Sequence, residues 1–295
     1  MVCVRSAWLA LAGATIPLEN VSGGWLCEQL DLGYPAVREV KNNRPDTDGI
    51  DDRTALMGER AVTANIHAVA AGGASIDAIA ASFAPYMVPS ARPVLHYVLD
   101  RPGAPERTMT VRAAGYSWPI VGPVDRQIHL QWIAADPVAR DPVQRSATAF
   151  AGSSVGAGRG YNLTFNRSYP SGGGSSSAAT ITSPGDVAVR PLLRIYGPVT
   201  APVVTFTPSA GLVALQLTMV VSGGHYIEVD CAARSAYLDG DRTQNVLTQM
   251  DWATMNANGG WPLIPPQTTV TMAMTGQSTG GQTQTQAFWN DGYLT

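Results

Sequence analysis

Charge is what this sequence has least of. Asp, Glu, Lys and Arg make up 14% of its 295 residues, against about a quarter in an ordinary soluble domain. Lysine is almost missing: Lys41 stands alone, and every other basic residue is arginine. With a formal charge of −3, the chain lacks the basic surface that nucleic-acid binding needs. A surface so poor in charge points instead to one that partners cover. Cysteine is scarce and odd in number. Cys3, Cys27 and Cys231 form no CxxC pair and no metal spacing, so they read as reduced, buried thiols rather than a disulfide framework or a zinc site. Long apolar runs are missing too, and no stretch reaches the length of a membrane-spanning helix, so membrane insertion is not expected. The run Ala7–Ala14 follows a single arginine and precedes no convincing cleavage site. It reads as a buried first strand, not a signal peptide.

Glycine and proline, by contrast, are plentiful, at 30 and 21 residues. Together with abundant Ser and Thr they favour short strands and many turns, hence a mainly β chain. The most patterned stretch is Asp46–Ala70. Val62, Ala64, Ile66, Ala68 and Ala70 alternate with Thr63, Asn65 and His67, which predicts a half-buried strand. The loop before it carries Asp46, Asp48, Asp51 and Asp52 around Gly49. A calcium loop needs its glycine later and a distal Glu framed by helices. Gly49 comes too early and Glu59 lacks that frame, so a metal role is not assigned. A charged loop of this kind fits a salt-bridged contact, and Asp51, Asp52, Arg53 and Arg60 are the candidate subunit or partner contacts.

Downstream, Ser75 caps a helix whose face is Ile76, Ile79, Ala80 and Phe83, ended by Pro85. Strands follow over 93–100, over 107–114 with Met109, Val111 and Ala113 on one face, and over 128–133. These elements predict an α+β unit over residues 1–145, with one helix and a long hairpin. Residues 146–186 form a Gly/Ser-rich junction with a short strand around Tyr161, Leu163 and Phe165. Its GAGRG run has neither the lysine nor the strand–helix frame of a phosphate loop. Turn signals recur regularly over 187–295, which predicts an antiparallel β-sandwich with a short helix over Thr248–Met255.

Catalytic spacing is missing throughout. His67, His96, His129 and His225 form no HxH or HExxH, and no GxSxG is present. Glu228 and Asp230 share one strand face, whereas a glycosidase pair faces across a cleft. No catalytic, cofactor or metal residue is therefore assigned. Tyr226, Trp252, Trp261 and Trp289 are either core and interface aromatics or the lining of a sugar site, with Trp252 and Trp261 the candidate glycan contacts.

Two ordered segments carry a resemblance. The first is LDLGYPAVREV…RPDTDGIDDRTALMGERAVTANI over Leu30–Ile66, continued by RPVLHYVL, ERTMTVRAAG and IHLQWIAADP. The second is RPLLRIYGPVTAPVVTF, LQLTMVVSGGHYIEVDCAARSAYLDG and AFWNDGYL. In order and spacing the chain resembles the distal tail proteins of long-tailed, siphovirus-type phages, in the minor tail protein form of actinobacteriophages. The resemblance implies an N-terminal ring-forming domain, usually in six copies, and a galectin-like C-terminal sandwich. It implies a virion protein of the tail tip, made in the host cytoplasm. The ring would join the tail tube, tape measure and tail-tip hub proteins, and DNA would pass through its channel without specific binding. A non-enzymatic structural role leads. A carbohydrate-binding module contacting the host surface is the alternative, and a wall hydrolase acting through Glu228 is a third class.

Overall fold

The structure is a computed structural model. It describes residues 4–38, 41–43, 50–52, 56–69, 75–119, 125–151, 177–208, 212–257, 260–278 and 283–294. The chain is mainly β and divides into two compact units. The first is Met1–Pro142 with Tyr293–Thr295, and the second is Val143–Gly292.

In the first unit two antiparallel sheets share one core. One sheet runs Ala14–Pro17, Val4–Leu11, Val94–Leu99, Glu106–Thr110 and Ala139–Arg140, with Tyr293 reached at its far edge. The other runs Arg112–Ser117, Asp125–Ala134, Leu56–Val69 and Trp25–Asp31, with Pro35–Arg38 also paired to Leu56–Val69. The patterned stretch is the long central strand of this second sheet, where period two places Val62, Ala64, Ile66 and Ala68 in the core. Across the ladder Val62 faces Trp132, Ala64 faces Leu130 and Ile66 faces Ile128, all buried. Each large apolar side chain buried this way contributes about 1.5–3 kcal/mol.

Between Trp25–Asp31 and Pro35–Arg38 the chain turns at Gly33, whose φ is +60 and whose added Cβ would lie 2.2 Å from the Ala61 carbonyl oxygen. Only glycine tolerates both. The Asp31 carboxylate accepts the Gly33 N–H at 2.9 Å and fixes the turn. The turn separates the strands Trp25–Asp31 and Pro35–Arg38.

The helix Ile76–Phe83 forms as its pattern predicts. The Ser75 hydroxyl accepts the Asp77 N–H, and Ile79, Ala80 and Phe83 are buried. The stretch 107–114 behaves differently. It is not one strand: Glu106–Thr110 pairs in the first sheet and Arg112–Ser117 in the second. The switch falls at Val111, whose N–H donates to the Pro93 carbonyl. Met109 and Val111 stay buried through it because both sheets face the same core.

The second unit is a sandwich of two five-stranded antiparallel sheets. One is Arg145–Phe150, Gln284–Trp289, Leu192–Tyr196, Tyr226–Asp230 and Ser235–Leu238. The other is Ala179–Ser183, Thr268–Ser278, Val199–Thr207 and Val213–Gln216, with Val220–Val221 against Val199–Thr207. Leu193, Ile195, Ile227 and Val229 from the first meet Ile181, Phe206, Leu215 and Met272 from the second in one core. The helix expected over Thr248–Met255 is displaced to Trp252–Ala257. Asp251 causes this: its carboxylate accepts the N–H groups of Ala253 and Thr254 and the Thr254 hydroxyl, so the helix starts after it. The strand expected around Tyr161–Phe165 and the GAGRG run lie outside the described residues.

Candidate functional site

The four contact candidates separate. Asp51 and Asp52 end the short strand Ile50–Asp52, paired in register with Asn42 and Lys41 of Lys41–Asn43. Arg53, Asp46, Asp48 and Gly49 lie outside the described residues. Arg60 is not a surface residue, as the contact reading requires. It is 1% exposed on the inward face of Leu56–Val69. Its Nε donates to the Leu32 carbonyl at 2.6 Å and its Nη1 to the Pro137 carbonyl at 3.3 Å. Burial pushes the Arg60 pKa down, and the nearby Tyr97, Tyr34 and Asp31 act the other way. A guanidinium used up inside its own unit has no face to offer a neighbour. Its work is to tie the Gly33 turn to the segment after Asp125–Ala134.

The histidines are held in pairs. His96 Nδ1 lies 2.6 Å from Glu106 Oε1, with Trp8 stacked on its ring, and His129 Nδ1 lies 2.7 Å from Asn65 Oδ1. His67 sits between Glu28 and Asp125 at 3.8 and 3.5 Å. His225 Nδ1 lies 2.6 Å from Asp239 Oδ2, and this contact, with the Tyr226 N–H, holds the Asp239 carboxyl below the usual range. Glu228 accepts from Arg194 Nε at 3.0 Å, and Asp230 accepts the N–H groups of Ala232 and Ala233. Both carboxylates of the hydrolase reading thus have local structural partners. Among the described residues no three His, Cys, Asp or Glu side chains converge as a metal site would require.

A concavity of about 220 Å³ in the first unit is lined by Arg5, Glu19, Cys27 and Glu28 among others. Burial, with smaller contributions from Glu19 and Glu28, pushes the Cys27 thiol up from an ordinary 9.0 to about 11. Burial raises Cys231 as well. Thiolate is the reactive form, so Cys27 in the folded chain is expected to react with iodoacetamide at pH 8 about a hundredfold more slowly than a free cysteine. Mass spectrometry of timed samples measures this; labelling at the free-thiol rate contradicts it.

Trp252 and Trp261 are brought together. Their rings meet edge to face with centroids 6.0 Å apart, beside a depression that Arg190 and Arg234 also line. Nothing in the sequence singles out these two arginines. They are distant in the chain from both tryptophans, and no spacing rule links them.

No family model matches the chain, and no curated protein matches it. Solved structures do. The SPP1 Dit (gp 19.1) protein, reported as a paradigm of the hub adsorption apparatus in Gram-positive infecting phages, aligns with a TM-score of 0.61 at 12% identity, covering 98% of this chain and 99% of that one. The chain has the distal tail protein fold. Alignment with a chain of the phage P2 baseplate in its activated conformation with Ca is looser, with a TM-score of 0.43 at 12% identity, covering 94% of this chain and 100% of that one. The same baseplate with Sr gives 0.42 at 14%, covering 92% and 98%. The distal tail fold extends over nearly the whole chain, so both units take part in the likeness.

Proposed function

We infer that the chain is a structural hub component of a phage tail tip. It forms a closed ring, of six copies on the family pattern, that links the tail tube to the tail-tip and receptor-binding proteins and leaves a channel for DNA. The observation that carries this is the alignment over 98% of the chain with a protein described as a hub adsorption apparatus. The low charge and the paired, non-convergent titratable groups support it. A homo-ring needs heterologous contacts that close on themselves. Asp51, Asp52 and Arg53 remain the proposed contact set, because carboxylate–arginine pairs fix register without large apolar patches. The sparse basic charge suits a channel that DNA crosses without sticking.

Native mass spectrometry of the purified chain tests the ring. Assemblies near six times the 31.0 kDa chain are expected. Immunogold electron microscopy should place the chain at the tail tip of virions. A chain that stays monomeric at all concentrations and is absent from virions overturns the reading.

A further inference from the structure

The depression beside the two tryptophans has a volume of about 640 Å³, within the range of small-molecule sites. The fold builds it deliberately. Asp251 fixes the start of the helix and so sets Trp252 at its first position. After the helix the Gly260 N–H donates back to the Met255 carbonyl at 2.7 Å, which folds the chain so that Trp261 meets Trp252. Trp252 nevertheless stays 40% exposed. Opposite chemistry comes from two other elements. Arg190 precedes the strand Leu192–Tyr196. Arg234 sits on the turn between Tyr226–Asp230 and Ser235–Leu238, with a φ of 56. Asp230 accepts two amides of that turn and so holds it in shape. Among the described residues no acidic side chain lines the depression, and neither guanidinium has a hydrogen-bond or ion-pair partner.

We propose that this depression binds an acidic saccharide, with a sugar ring against the indoles of Trp252 and Trp261 and its carboxylate, phosphate or sulfate substituent on Arg190 and Arg234. Indole faces suit the apolar C–H face of a sugar ring, and guanidinium is the side chain best shaped for a planar or tetrahedral anion. A neutral glycan leaves the arginines unanswered, and a bare anion leaves the indoles so. The inference does not rest on ring formation, since every group belongs to one unit of one chain.

The full-length chain, applied to an array of acidic oligosaccharides each paired with its neutral counterpart, tests this. Acidic members should be held, with the neutral counterparts about tenfold weaker or more, and binding should change tryptophan fluorescence. On the best-held member, Trp252→Ala should weaken binding about tenfold. The double variant Arg190→Gln/Arg234→Gln should abolish the acidic preference while melting as the parent does, because both side chains are exposed. No member held, neutral members held equally, or full competition by inorganic phosphate at equal concentration would each overturn the proposal. The last outcome would mean a simple anion site.

Discussion

Arg145→Met is expected to lower the stability of the second unit by about 3–5 kcal/mol, through a carboxylate that the substitution strands. Asp291 is 0% exposed, and Arg145 Nε lies 2.6 Å from its Oδ2. The approach is an ion pair rather than a well-aligned hydrogen bond, because Oδ2 has no partner of hydrogen-bond geometry. On the other oxygen Asp291 receives the Trp289 indole N–H at 3.3 Å. Register explains the arrangement: Arg145 opens the strand Arg145–Phe150 directly opposite Trp289, so arginine, indole and carboxylate gather at one end of the sheet. Removing the arginine leaves the charge buried with, among the described residues, the Trp289 indole as its partner. Removing the carboxylate costs less, because Arg145 is 41% exposed and water can solvate it. Urea denaturation followed by tryptophan fluorescence would read the effect. Arg145→Met/Asp291→Asn should recover at least half of the loss, since the stranded charge is gone. A single variant that unfolds with the parent would show that the pair contributes nothing.

What the sequence makes legible here is what local periodicity and capping dictate. The strand Leu56–Val69 and the helix after Ser75 follow from alternation and an N-cap, and both sit where those signals place them. The sheet switch at Val111 does not follow. Alternation runs unbroken through Met109, Val111 and Ala113, and period two looks the same whichever sheet a strand joins. The displaced helix is a different kind of miss. Asp251 is a strong cap and outweighs the apolar pattern that begins at Thr248. The depression with its two arginines is illegible for a third reason. Its residues come from a strand entry, a hairpin turn and a helix, and only the sandwich topology brings them together. The fold class was readable from composition and turn spacing, while the site depends on long-range pairing that no window of sequence contains.

Arg60 shows how a legible signal can be misread, and it sets the second large expected effect. Charge and a neighbouring acidic loop make it look like a contact residue. Extending the alternation one step back from Val62 puts residue 60 on the core face, which is where it lies. There Arg60 donates to two carbonyls, those of Leu32 and Pro137. Arg60→Ala should therefore destabilise the first unit by about 3–5 kcal/mol, adding two unsatisfied acceptors to a cavity. Arg60→Lys should recover less than half, because one ammonium cannot span both carbonyls as a planar fork does. Thermal melts of the three chains would show this order, and a stable Arg60→Ala would refute the tie. Assembly separates the fold role from the contact role. Arg60→Ala should lose ring formation only at temperatures where the chain itself unfolds. Charge reversal at Asp52 and Arg53 should lose the ring with the melting temperature unchanged. If the Arg60 variant instead stays folded and fails to assemble, the buried placement is not what matters, and the residue reaches its neighbour after all.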